Sequence, residues 1–134
     1  MPDRKLRGNP EGLIARIPKT APNYGSRPDG TPKGLGYFGE IARTDEPDYI
    51  STELSATVGI DGEERLIPII VPTLTAEELA HLVDGGQPTV GIVRKAVEHA
   101  RARIKANKSP YAEPNERHPL PKSPSQQFEE GYTK

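Results

Sequence analysis

Hydrophobic positions are bunched in the middle of the chain, and their spacing changes twice. Over residues 50–60, Ile50, Thr52, Leu54, Ala56, Val58 and Ile60 alternate with Ser51, Glu53, Ser55 and Thr57. A period of two predicts a strand with one buried face. Asp61-Gly62 follows, a pair suited to a type I′ turn because both central positions need positive φ. The returning strand is expected over 63–71, ending in a nearly continuous apolar run, with Pro68 confined to an edge or bulge because it has no N–H to donate. The spacing then becomes helical. Thr75 with Glu78 forms a capping box, and Leu74 with Leu79 a hydrophobic staple, so a helix is predicted from Ala76 to about Asp84, closed by Gly85-Gly86. A second helix starts at Thr89, with Val93, Ala96, Val97, Ala100 and Ile104 as its core stripe. Asn107 suits a left-handed cap, and Pro110 forbids continuation. The fold class is α+β: a small hairpin or sheet packed on two helices.

On either side the pattern thins out. Residues 1–33 are rich in Pro and Gly and read as an extended arm with turns such as Pro28-Asp29-Gly30, interrupted by one apolar cluster, Leu13, Ile14 and Ile17. That cluster suits either a partner's groove or the protein's own core, and the sequence leaves both open. Residues 34–49 read as a loop or irregular edge carrying the adjacent aromatics Tyr37 and Phe38. The compact domain is expected over 34–113. A second extended arm covers 114–134, with Phe128 and Tyr132 as its sizeable anchors. The partner-binding candidates are therefore Leu13, Ile14, Ile17, Tyr24, Tyr37, Phe38, Phe128 and Tyr132.

Composition sharpens this picture. Of 134 residues only 33% are hydrophobic, while 13 are Gly and 15 Pro, so one segment can bury a core and the rest must find its contacts elsewhere. Cysteine is absent, which excludes disulfides, thiolate nucleophiles and cysteine-ligated metals. No apolar run approaches transmembrane length, and the N-terminal residues lack a signal-peptide core. The net charge of −1 hides a segregation: residues 44–89 carry ten acidic groups and one basic, residues 90–108 six basic and one acidic. Such charges either balance within the domain or join copies head to tail, acidic face on basic face; local balance is the ordinary case.

Candidate chemistry is sparse. Gly34 to Gly39 formally matches the dinucleotide-binding glycine pattern, but it lacks the strand before it and the helix opening within it, so a tight loop explains it better. His81, His99 and His118 have no metal-ligand spacing. No nucleophile elbow is present, and the side chains of Glu63-Glu64 and Glu77-Glu78 diverge. No catalytic, cofactor-binding or metal-ligating residue is expected, and no enzyme. Arg94, Lys95, Arg101, Arg103 and Lys105 on the second helix are possible phosphate contacts, though without interleaved aromatics a solvated helix face is the better reading.

Five stretches together resemble a group of small proteins encoded by tailed bacteriophages and prophages: GLGYFG at 34–39, STELS at 51–55, IPIIVPTLT at 67–75, GGQPT at 85–89, and KAVEHARARI with KSPYA across 95–112. The resemblance spans about 80 residues, from Gly34 to Glu116, and its motifs are structural. It implies a product made in the host cytoplasm and built into the virion, in the tail or head–tail connector region, with other virion proteins as partners in a symmetric multi-copy assembly. It carries over no catalytic residue and no cofactor. A capsid decoration protein, a DNA-contacting packaged protein and a host-directed regulator outside the virion are the alternatives.

Overall fold

The apolar run at the end of the predicted hairpin is the spine of the molecule. The computed structural model describes residues 16–122. Within it Ile67, Ile69, Ile70, Val71 and Leu74 are all buried, and the remaining core side chains gather on them: Tyr37, Ile41, Leu54 and Ile60 from the loops and strands, Leu79, Leu82, Val83, Ile92, Ala96 and Ala100 from the helices. The elements are β1 (Ile17–Pro18), β2 (Ile41–Ala42), β3 (Tyr49–Ser51), β4 (Ser55–Ile60), β5 (Glu63–Pro68), α1 (Ala76–Val83) and α2 (Val90–Lys105). They form an antiparallel sheet in the order β1-β3-β2 and a separate β4–β5 hairpin. The fold is α+β, as expected.

Local signals set the element ends. Asp61 and Gly62 both have positive φ, 52° and 84°, and Ile60 pairs with Glu63 across them. Both halves of the capping box close α1: Thr75 Oγ1 accepts from Glu78 N–H, and Glu78 accepts from Thr75 N–H. Thr89 caps α2 through Ile92 N–H, and Asn107 is left-handed at φ 63°. The buried row of α2 is Ile92, Ala96 and Ala100, with Val97 and Ile104 packed beside it. Val93, expected on the stripe, lies one position off this row and is only half-buried.

The predicted continuous strand over 50–60 is broken. It divides into β3 and β4, and Ser51, Thr52, Glu53, Leu54 and Ser55 between and at their ends are all buried, whichever face the alternation assigned them. The reason is that both sides of this stretch are covered. On one side, Glu53 is 4% exposed and accepts two hydrogen bonds from Arg27, at 2.7 and 2.8 Å, and a third from Gly34 N–H at 2.9 Å. The Arg27 guanidinium also stacks over the Tyr111 ring, 3.9 Å from its centroid, and Tyr111 hydroxyl bonds Ser55 Oγ at 2.7 Å. On that same polar face buried Arg43 reaches Ser51 Oγ and grips Asp45, which also accepts from Arg16, while Leu54 on the other face joins the core. These cations hold the Asp45 carboxyl below the ordinary carboxylate range, the Arg43 hydrogen bonds most of all.

Residues 16–33 and 114–118, expected within the extended arms, lie against this body. Ile17 pairs with Ile50, and the turn around Asp29 brings Arg27 to Glu53. At the other end His118 N–H donates to Tyr37 O, and Arg103 holds Glu116 through both carboxylate oxygens at 3.0 Å. Arg103 also caps the Ser109 and Tyr111 carbonyls. The glycines at 34–39 serve this packing. Gly36 has φ +70°, and a Cβ there would lie 2.3 Å from Thr52 O, a backbone atom that cannot yield.

Two predictions follow from these clamps. Removing one member of a buried ion pair leaves the other charged and unpaired, which costs about 3–5 kcal/mol. Glu53→Ala should lose stability of that order in urea unfolding, and Arg27→Ala with it should lose less than the two single changes summed. A Glu53→Ala loss under ~1 kcal/mol would show that the pair does not hold the segment. The second prediction concerns pH. Burial, then the Arg103 charge, lowers the His99 pKa from 6.5, and its Nε2 is buried without a partner. Burial pushes Glu116 up, but hydrogen bonds from His118, Glu113 N–H and Arg103 outweigh it and bring the carboxyl to about 2 from 4.5. Both folded values are depressed, so both contributions are present at neutral pH and lost on acidification: His99 as pH falls below 6.5, Glu116 between 4.5 and about 2. The melting temperature should fall in two steps, and His99→Phe should abolish the first.

Candidate interaction surface

The aromatic and aliphatic candidates separate into three groups. Ile17 and Tyr37 are 4% and 1% exposed, so neither is offered to a partner: Ile17 packs into the protein's own β1–β3 pairing, and Tyr37 is a core residue. The Tyr37 hydroxyl donates to Pro110 O, its ring meets the His99 ring edge-on at 5.0 Å, and Arg103 lies 5.5 Å from its centroid. Burial pushes its pKa up to about 12. Phe38 is half-buried against the same core, and Tyr24 is half-buried with its hydroxyl donating to Glu40 at 2.6 Å. Leu13, Ile14, Phe128 and Tyr132 lie outside the described residues.

The basic residues of α2 also divide. Arg103 is turned inward, its side chain 10% exposed, and is fully engaged by Glu116 and two carbonyls; it is a clamp, not a phosphate contact. Lys95 is held by Glu78 at 2.8 Å, which draws that carboxyl down. Arg101 is half exposed and 3.8 Å from Asp61. Arg94 and Lys105 are exposed, as is Lys108 just past the helix end, and none of the three has an ion-pair partner among the described residues.

Two of the surface hollows among the described residues border these candidates. One, about 490 Å³, opens between the β4–β5 tip and the C-terminal half of α2. Its apolar floor is Ile60 and Ile104, and Arg65, Arg101 and Lys105 stand around it with Asp61 and Glu63. The other, about 430 Å³, lies where the three packed segments meet, beside Tyr24, Leu35, Glu53, Ala112 and Arg117. Of the histidines, His81 lies over Gly86 and bonds Gln87 O, while His99 and His118 flank Tyr37. Among the described residues no group of His, Cys, Asp or Glu is placed to hold a metal ion, and no helix is long and apolar enough to cross a membrane.

Sequence reasoning missed the two clamps. Arg27 and Glu53 are 26 residues apart and Arg103 and Glu116 are 13 apart, and no local pattern pairs them. The one available signal was a carboxylate flanked by small hydroxyl residues in an otherwise apolar-alternating strand. Compared with protein-family models, with curated proteins and with solved structures, the chain matches none.

Proposed function

We propose that this chain is a structural or accessory component of a tailed-phage particle, sited in the tail or head–tail connector region, and that it works by binding neighbouring virion proteins through its terminal segments rather than by catalysis. The phage setting rests on the resemblance of residues 34–116. The mode of action rests on one observation: the convergent charged groups of the body are committed to one another across chain crossings. Arg27 with Glu53 ties down the stretch that follows residue 15, and Arg103 with Glu116 ties down the stretch that precedes residue 123. Both terminal segments thus leave a braced platform from defined places, which limits the ordering entropy a partner has to overcome.

Arg94, Lys105 and Lys108, which have no ion-pair partner among the described residues, favour one other reading, contact with packaged DNA. Such contact would weaken steeply with added salt.

Mass spectrometry of purified particles tests the proposal. The protein should be present at a small symmetric copy number relative to the major capsid protein. A copy number close to that of the capsid protein would make it a decoration protein. Complete absence would overturn the virion reading in favour of a host-directed regulator.

A further inference from the structure

We propose that the hollow between the β4–β5 tip and α2 receives residues 128–132 of a second copy of this chain. The inference rests on the reading above that the terminal segments are the binding elements, and it names one occupant for one surface.

The hollow suits an aromatic side chain flanked by carboxylates. Its volume of about 490 Å³ falls in the range of pockets that enclose side chains and small ligands. Ile60 and Ile104 give an apolar floor, and an aromatic residue seated there removes its ring from water. Arg65 and Arg101 are paired with Glu63 and Asp61 only at 3.4 and 3.8 Å, through largely exposed side chains. Pairs of that kind are worth little and exchange readily. Lys105 has no partner among the described residues, and further along the same flank of the helix Arg94 and Glu98 offset one another. The rim therefore carries an excess of positive charge despite its two carboxylates.

The sequence after Lys122 holds the complement. Residues 128–132 read Phe-Glu-Glu-Gly-Tyr, and within 123–134 these contain every aromatic residue and every carboxylate side chain. Phe128 matches the floor, and Glu129 and Glu130 match Arg101 and Lys105.

The occupant comes from a second copy because of the way the chain crosses α2. Residues 111–118 run along the side of the helix that carries His99 and Arg103, as the Arg103–Glu116 and Tyr37–His118 contacts show. Arg101 and Lys105 are two positions before and after Arg103, so at about 100° per residue they project to the opposite side. Their chain's own C-terminal segment would have to wind round the helix to reach them, and a neighbour's would not. Exchanged reciprocally, such a contact closes a two-fold dimer; passed on in one direction it closes into a ring or propagates as a filament.

The test uses full-length chains with Phe128→p-benzoylphenylalanine, mixed as light and heavy nitrogen isotopologues and irradiated. Cross-links should fall on residues 60–65 and 101–105 and include mixed-isotope pairs. Because the charged groups are exposed, R101E with K105E should fold and lower the yield roughly fivefold, the worth of two surface charge pairs. Adding E129K and E130K should restore it. Cross-links confined to one isotope, or directed elsewhere, overturn the inference. If residue 128 instead cross-links to a different protein in purified particles, the inference fails and the proposed virion role stands. If mixed-isotope links form but the chain is absent from particles, the inference stands and the virion role fails.

Discussion

Glu53 is the constraint on which the rest of the structure depends. A carboxylate buried in the middle of a strand segment cannot remain charged without close partners, because losing its hydration costs several kcal/mol. Here it takes three hydrogen bonds, two from Arg27 and one from Gly34 N–H. Satisfying it requires that residues 25–34 lie across the β3–β4 junction. That in turn brings Tyr111 under the guanidinium and Ser55 to the Tyr111 hydroxyl. Three stretches distant in sequence thus meet around one side chain. The break between β3 and β4 follows from the same demand, since a regular strand would have left Glu53 on the solvent side of a two-faced sheet.

The fold was legible wherever its determinants are local. The α1 capping box, the Asp61-Gly62 turn, the Thr89 cap and the left-handed Asn107 each depend on residues within four positions of one another, and each formed as the sequence indicated. The illegible parts depend on long-range closure. Tyr37 looked like an exposed aromatic in a glycine-rich loop, yet its hydroxyl is bound by Pro110, 73 residues away, and His99 and Arg103 complete its surroundings. Residues 16–33 looked like a free arm because their apolar content is low. They are held instead by Ile17 against Ile50 and by Arg16, Tyr24 and Arg27 on Asp45, Glu40 and Glu53. The same applies to the candidate surface. Ile60 and Ile104 were each readable as inward positions, but that they share a solvent-accessible hollow is a property of the packing.

The segregation of charge along the chain is largely resolved inside the molecule. Basic α2 meets the acidic middle segment through Lys95 with Glu78 and Arg101 with Asp61, and the C-terminal segment through Arg103 with Glu116. These pairs differ in what they do. Arg103 is nearly buried and organises two carbonyls as well as a carboxylate, so it fixes a chain path. Arg101 is half exposed at a longer distance and fixes little.

α2 therefore has two basic faces with different physical characters. On the inner side, guanidinium charge is spent on holding residues 109–116, where geometry is tight and water is scarce. On the outer side Arg101, loosely paired with Asp61, and Lys105 are exposed beside the apolar floor formed by Ile60 and Ile104. Ala96 and Ala100 bury the contact row of the helix, so these outer cations take no part in covering the hairpin. An apolar hollow bordered by loosely paired cations is the feature on which the proposed docking of an acidic segment rests, and if that docking repeats between copies, weak single contacts would add up through multivalency.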